Sequence, residues 1–134
     1  MKATVLDSWA LMAFFNGEPA ATRVRDCFGH AMQTGELLAL CVVNWGEVVY
    51  QFERSDNAAA TESVIRDMDS LPIEIVPVDR ALTRVAASFK ARGGLSYADA
   101  FAAALAKDRD AELLTGNPEL RSLAKEIKIH WIGR

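Results

Sequence analysis

Three acidic residues and one amide are the main candidates in this sequence for catalysis or metal binding. Asp7 and Asn117 each follow a short apolar strand directly, and Glu47 and Asp99 each lie near the start of a predicted helix. In parallel sheets, ligand sites form beyond the carboxyl ends of the strands, so these residues are expected at one edge. Carboxylates without a neighbouring His or Cys favour Mg²⁺ or Mn²⁺ over zinc. The pattern therefore predicts a site for a hard divalent cation.

Helix capping is the alternative explanation for each of these residues taken alone. Asn44 and Glu47 have the spacing of a capping box, and so do Ser96 and Asp99. Asn117 precedes Pro118 and is a good N-cap. Capping alone does not explain three carboxylates at one edge of the sheet, because they repel one another. Two carboxylates ~5 Å apart cost about 3 kcal/mol at an effective dielectric near 20. Helix dipoles return about 0.3–1 kcal/mol each, so a shared cation is the better explanation of the whole set.

The helix that carries Asp99 is predicted to be the central one of the fold. Tyr97, Phe101 and Ala104 recur at helical spacing, and every residue from 100 to 106 is apolar. A helix that is apolar on all sides is a buried one. Asp99 is thus a carboxylate at the mouth of a buried helix, where it needs backbone N–H groups, a cation or a metal as a partner.

Strands and helices are predicted to alternate, which indicates an α/β fold with a parallel sheet covered on both faces. Strands are predicted at residues 3–6, 37–43, 73–76, 112–115 and 127–132. Helices are predicted at 8–15, from Pro19 to Gly35, from Asn44 onward, from about 58 to 71 after a break at 55–57, at 79–92, from Ser96 onward and at 118–124. We expect one domain over residues 1–134.

Composition narrows the class of protein further. Apolar residues make up 51% and charged residues 25% of the chain, as in ordinary globular proteins. With no apolar run near the ~20 residues of a membrane span and no signal peptide, a cytoplasmic protein without membrane contact is expected. Cys27 and Cys41 are interpreted as free, buried thiols. The net charge of −3 means that a polyanion must be bound through a local basic patch or a cation.

Four segments resemble, in this order, the motifs of PIN-domain proteins: Leu6–Ser8, Asn44-x-x-Glu47, Leu95–Ala100 and Thr115–Leu120. The sequence is most similar to the VapC toxins of bacterial toxin–antitoxin pairs. This resemblance spans nearly the whole chain, and it is most specific around Asp99. It implies a three-layer α/β/α fold with a central parallel sheet of about five strands in the order 3-2-1-4-5. It also implies Mg²⁺-dependent endoribonuclease activity, a homodimer, and inhibition by a small VapB-like antitoxin.

The resemblance assigns roles to particular residues. Asp7, Glu47 and Asp99 match the acidic triad of the family, which holds the metal and positions a water for hydrolysis of an RNA phosphodiester. Asn117 stands where the family normally has a fourth acid, so a lower metal affinity and a less certain second ion are expected. Thr115 matches a hydroxyl often found just before that position.

Several residues near these motifs are candidates for supporting roles. Glu119 is interpreted as complementing a helix dipole, with a turn toward the site as the alternative. Most basic residues are expected on solvated faces, and the first candidates for holding the RNA backbone are Arg80, Arg84 and Arg92. Trp9 and Trp45 are expected to pack or to form a dimer contact, with base stacking as the alternative. His30 and His130 are interpreted as structural or surface residues.

Two further functions compete with the metal-dependent ribonuclease. Because Asn117 lacks a charge, the chain is alternatively a catalytically weakened RNA- or antitoxin-binding module. A phosphotransfer domain with Asp7 as nucleophile is disfavoured, because that chemistry usually brings a second acid two residues later, where this chain has Trp9. RNA cleavage in the presence of Mg²⁺ or Mn²⁺ discriminates between the first two functions.

Overall fold

Strands and helices alternate along the chain, as the apolar patterning predicts. The structure, a computed structural model, describes residues 3–55 and 57–133. Within these residues the strands are β1 (Thr4–Leu6), β2 (Leu38–Cys41), β3 (Ile73–Val76), β4 (Glu112–Thr115) and β5 (Lys128–Trp131). The helices are α1 (Ser8–Phe15), α2 (Ala21–Thr34), α3 (Val42–Glu53), α4 (Ala58–Ser70), α5 (Arg80–Ala91), α6 (Tyr97–Asp108) and a 3₁₀ helix (Pro118–Leu123).

All neighbouring strands of the sheet are parallel, and their order is β3-β2-β1-β4-β5. Strand β1 is central, with Val5 opposite Ala39 of β2 on one side and Leu113 of β4 on the other. The predicted fold class and the strand order 3-2-1-4-5 are confirmed. Because the strands are parallel, the carboxyl ends of β1, β2 and β4 lie at one edge of the sheet. Candidate site residues follow each of these strand ends in the sequence.

The sheet separates two apolar cores, because successive side chains of a strand point to opposite faces. Val5 and Leu113 pack on the face covered by α5 and α6, while Leu6 and Leu114 pack on the face covered by α1 to α4. In α6 every residue from 99 to 106 is buried, as predicted for the central helix. The result is a three-layer α/β/α arrangement.

The predicted junction between the second strand and the following helix is wrong. The apolar run 37–43 is not all strand: β2 ends at Cys41, and Val42 already begins α3. Asn44 therefore does not open the helix and forms no capping box with Glu47, since Cys41 is the N-cap residue and makes no side-chain capping bond. Direct passage from strand to helix leaves no exposed linker for a polar cap.

Smaller differences occur elsewhere in the described residues. Pro19 lies in the turn before α2 rather than in its first turn, because the Ala21 N–H closes that turn on the Glu18 carbonyl at 2.8 Å. Cys41 is buried as predicted, but Cys27 is partly exposed; both are free thiols. The predicted break at 55–57 includes Asp56, which lies outside the described residues. No helix within 3–55 or 57–133 is long and apolar enough to cross a membrane.

Candidate active site

Asp7 connects the end of β1 to the start of α1. It is the N-cap of that helix, and its Oδ1 accepts a hydrogen bond from the Ala10 N–H at 2.8 Å. The side chain has no solvent exposure. The capping explanation is therefore correct for Asp7, but it accounts for only one of the two carboxylate oxygens.

The second oxygen of Asp7, Oδ2, is buried and accepts no hydrogen bond of good geometry from the described residues. Burial raises the pKa of Asp7 from its ordinary 3.8 to about 7. The nearby Thr115 hydroxyl and the Ala10 N–H lower this pKa, and the negative charges of Asp99 and Glu47 raise it. A buried carboxylate oxygen without a hydrogen-bond partner lacks compensation for its charge, which a cation would supply.

Asp99 lies in the first turn of α6, as predicted. Ser96 is the N-cap, and its Oγ accepts a hydrogen bond from the Asp99 N–H at 3.1 Å. Burial raises the pKa of Asp99, hydrogen bonds from Ser96 lower it, and the charges of Glu47 and Glu119 raise it. Glu119 is therefore close enough to act on the site electrostatically, beyond any effect on its own helix.

Asn117 contacts Asp99 directly through a hydrogen bond of 3.0 Å from Nδ2 to Oδ2. Its orientation is fixed, because Oδ1 accepts the Glu119 N–H at 3.1 Å and an N–H requires an oxygen as its acceptor. The Asn117 backbone N–H in turn donates to the buried Thr115 Oγ1 at 3.0 Å. Asn117 thus presents a hydrogen-bond donor to Asp99.

Glu47, Asp99 and Asn117 line one cleft of about 360 Å³. Glu47 lies in the second turn of α3 and is partly exposed. Asp7 is buried beside the cleft without lining it. The structure therefore brings the four predicted residues to one place. The cleft also contains residues that sequence reasoning did not assign to it: Ser8, Met12, Ala13, Glu18 and Gln51.

Asn44 is a buried cross-link between three helices. Its Nδ2 donates to the Ser8 Oγ and to the Ala98 carbonyl, both at 3.1 Å. These two bonds join the first turns of α1, α3 and α6, the three helices that begin beside Asp7 or carry Glu47 and Asp99. Its Oδ1 is buried and has no partner among the described residues. Asn44 therefore positions the site rather than capping a helix.

None of the three arginines predicted to bind RNA lines the cleft. Arg92 forms an ion pair with Glu126, which precedes β5 at the opposite end of that strand. Arg84 donates to Ser88 within the same helix at 2.6 Å, and Arg80 is exposed at the start of α5. An RNA-binding role for these three residues stays a prediction.

Of the two tryptophans considered as groove residues, Trp9 lines the cleft and Trp45 packs against the core on the α1–α4 face. A Cβ on Gly116 would lie 2.2 Å from Cη2 of the Trp9 ring. The indole therefore rests against the backbone between Thr115 and Asn117. Sequence reasoning had no signal for this contact, because it joins residues 107 positions apart.

Comparison with known protein families shows the family to which the chain belongs. The sequence model of the PIN domain matches residues 4–126, which is most of the chain.

The chain belongs to the PIN domain family. The suspected resemblance is thereby confirmed for the family, and the matched region contains Asp7, Glu47, Asp99 and Asn117. No curated protein sequence matches the chain.

Solved structures with the same fold come from VapBC systems. VapBC2 of Rickettsia felis, bound to a promoter DNA fragment, superposes with a TM-score of 0.75 at 15% identity, covering 96% of this chain and 97% of that one. DNA-bound VapBC of Salmonella typhimurium gives 0.73 at 20% identity, covering 98% and 99%. VapBC-5 of Mycobacterium tuberculosis, a member of the VapBC family of toxin–antitoxin systems, gives 0.59 at 18%, covering 100% of both chains. These likenesses establish a shared fold.

The donor atoms of this PIN domain fit a hard divalent cation. Within the described parts of the chain, no three or more His, Cys, Asp or Glu side chains form a preassembled metal cluster. Mg²⁺ does not require one, because it keeps several waters and usually binds through one or two carboxylates together with substrate phosphates. The unpartnered Oδ2 of Asp7 and the neighbouring carboxylate of Asp99 are donors of that kind.

Replacing Asn117 by Asp in this PIN domain is expected to tighten Mg²⁺ binding about tenfold. The substitution exchanges a hydrogen-bond donor for a negative charge next to Asp99 Oδ2, and affinity for hard cations rises with ligand charge. Isothermal titration calorimetry of the metal-free protein measures the change. Asn117→Ser is the matched control, since it keeps a capping oxygen without adding charge. Equal or weaker Mg²⁺ affinity in Asn117→Asp would contradict the placement of Asn117 in the site.

Proposed function

We propose that this PIN domain is a Mg²⁺-dependent endoribonuclease, with Mn²⁺ as a substitute ion, and the toxin of a toxin–antitoxin pair. The observation that carries the proposal is the meeting of Asp7, Glu47, Asp99 and Asn117 at one edge of the sheet. The ligating groups are carboxylate oxygens, which suit a hard cation. Family membership supports the proposal independently.

The roles of the side chains follow from their contacts. When bound, a divalent cation polarises a phosphoryl oxygen and lowers the pKa of a bound water. Asp7 offers its unpartnered Oδ2 to the ion, and its Oδ1 stays engaged with the Ala10 N–H, so the carboxylate is held in one orientation. Asn117 donates to Oδ2 of Asp99 through its amide, which holds the Asp99 carboxylate in one orientation beside the position where an ion would bind. Glu47, at the cleft surface, is placed to accept a proton from an attacking water.

The partners proposed for this protein are an RNA substrate, a small VapB-like antitoxin and a second copy of the chain. The VapBC neighbours support the antitoxin, because the shared fold extends over 96% of this chain or more in each of the three compared structures. RNA as substrate places the activity in the cytoplasm.

A second candidate function is a binding module with an impaired site. It is favoured by the hydrogen bond from Asn117 to Asp99, which satisfies a carboxylate oxygen without any metal. In this alternative the cleft binds RNA or an antitoxin side chain, and no phosphodiester bond is hydrolysed.

Asp99→Asn is expected to lower metal-dependent RNA cleavage at least 100-fold, because it removes one of the carboxylates that face the ion. Cleavage of a labelled RNA is measured with Mg²⁺, with Mn²⁺ and with a chelator. Asp108→Asn is the matched control, since Asp108 is exposed at the other end of the same helix. Activity in the wild type and the control that is lost in Asp99→Asn supports the enzyme. Equal residual activity in all three would show a contaminant and favour the binding module.

A further inference from the structure

A second cavity, of about 510 Å³, lies beside the acidic cleft. The two spaces share Trp9 and Glu18 as wall residues and are therefore adjacent. The roles assigned above to the acids and to Asn117 make no use of this cavity. Its other walls combine apolar surface with a single cation, and they include Pro19, Ile132, Gly133 and Arg23.

Gly116 packs against one face of the Trp9 indole, and Gly133 supports Gly116 from behind. A Cβ on Gly116 would lie 2.2 Å from Cη2 and 2.6 Å from both Cζ2 and Cζ3, so it would stand over the face of the six-membered ring. Gly133 packs in turn on Gly116, where a Cβ would lie 2.8 Å from the Gly116 Cα. The backbone therefore fixes the indole before any ligand binds, and a preorganised wall loses less entropy on binding.

We propose that this cavity binds the base of the RNA nucleotide next to the scissile phosphate. The inference rests on the ribonuclease function proposed above and adds a specificity site to it. The occupant follows from position and chemistry together: the cavity adjoins the acids, has an aromatic wall, and carries one carboxylate and one guanidinium. Single-stranded RNA is recognised through bases that stack on aromatic side chains and form hydrogen bonds along their edges.

Glu18 and Arg23 divide the recognition of such a nucleotide between them. The Glu18 carboxylate only accepts hydrogen bonds, so it pairs with the exocyclic amino group of adenine, cytosine or guanine, which uracil lacks. A carboxylate repels phosphate, and the RNA backbone must therefore run along the Arg23 side. Arg23 is exposed, and one of its guanidinium N–H groups donates to the Trp131 carbonyl at 3.4 Å, which holds the side chain at the cavity wall.

Binding of short RNAs without metal tests the subsite separately from cleavage. The probes are fluorescein-labelled heptauridylates whose central, fourth residue is adenosine, cytidine, guanosine or uridine, titrated in EDTA and followed by anisotropy. Trp9→Leu is expected to weaken binding about tenfold for all four probes. Glu18→Gln is expected to reduce the preference for an amino-bearing base over uracil. Arg23→Gln is expected to weaken binding of every probe and to lower the slope of log affinity against log salt by about one.

Matched substitutions at other sites give the controls. Trp45→Leu, Glu62→Gln and Arg25→Gln change the same residue types outside the cavity and are expected to leave probe binding unchanged. If the wild type binds and cleaves RNA but Trp9→Leu and Glu18→Gln leave binding and base preference unchanged, the subsite is wrong and the ribonuclease stands. A wild type that neither binds nor cleaves RNA would overturn both. Loss of a solution dimer in Trp9→Leu, with unchanged RNA binding, would assign the cavity to a second copy of the chain.

Discussion

Asp7→Asn is expected to stabilise the metal-free protein at pH 8 by about 4 kcal/mol while abolishing metal-dependent cleavage. The folded chain holds the pKa of Asp7 at about 7, against 3.8 ordinarily, so ionising this residue costs folding free energy. Below pH 4 the carboxyl is protonated in both the folded and the unfolded state, and the cost is absent. Above pH 7 it is ionised in both, and the whole cost falls on the folded state. Wild-type stability should therefore fall as the pH rises from about 4 to 7.

Urea unfolding in EDTA at pH 5 and pH 8 measures this effect. The Asn variant keeps an oxygen for the Ala10 N–H and removes the charge, so its stability should depend less on pH; the part that remains comes from Asp99, whose pKa is also raised. Mg²⁺ at pH 8 should stabilise the wild type and not the variant, because ligand binding to the folded state shifts its equilibrium. Asp67→Asn, at an exposed position of α4, is the control. Equal wild-type stability at both pH values would contradict the raised pKa.

Gly116→Ala is expected to destabilise the protein by about 3 kcal/mol. The added Cβ would enter the face of the Trp9 ring at 2.2 Å, a distance at which ring or backbone must move. Overpacking of this kind typically costs about 1–3 kcal/mol. The Gly116 backbone has little room to move away from the rigid indole, because Gly133 packs directly on it. Because Gly116 joins Thr115 to Asn117, the same shift should disturb the hydrogen bond from Asn117 to Asp99.

A double-mutant cycle isolates the clash. In a Trp9→Ala background the same Gly116→Ala substitution should cost far less, since the ring is gone. Gly29→Ala is the matched control: it lies within α2 with nothing near the added Cβ, so it should stabilise by about 0.5–1 kcal/mol. An equal cost of Gly116→Ala with and without Trp9 would show that the ring is not what requires glycine there.

Sequence reasoning predicted the parts of this fold that local patterning controls. Three predicted elements agree closely with the structure: the strand at 73–76, the helix at 8–15 and the buried helix after Ser96. Their apolar periodicity and their caps depend only on residues close together in the sequence. Asp7, Ser96 and Asn117 are all N-caps, as their residue types indicate. The alternation of strands and helices was sufficient to predict that the four candidate residues lie at one edge of the sheet.

The predictions that were wrong or missing concern residues whose partners lie in distant segments of the chain. Asn44 has the local pattern of a cap, but its partners are Ser8 and Ala98, and these bonds place it inside α3. Trp9 rests on Gly116 for a reason that no pattern around either residue shows. The orientation of Asn117, a donor toward Asp99, required the position of the Glu119 N–H. The direction of each side chain at the site thus depends on tertiary contacts. The edge of the sheet at which the site lies follows from the order of strands and helices alone.

Diffraction from crystals grown with Mn²⁺ tests most directly whether the acids share one ion. Anomalous difference density identifies Mn²⁺ by element, independently of any activity. A peak is expected at the cleft, within coordination distance of Oδ2 of Asp7 and a carboxylate oxygen of Asp99, with Glu47 bound directly or through water. A peak elsewhere, or an empty cleft at saturating Mn²⁺, would contradict the shared ion.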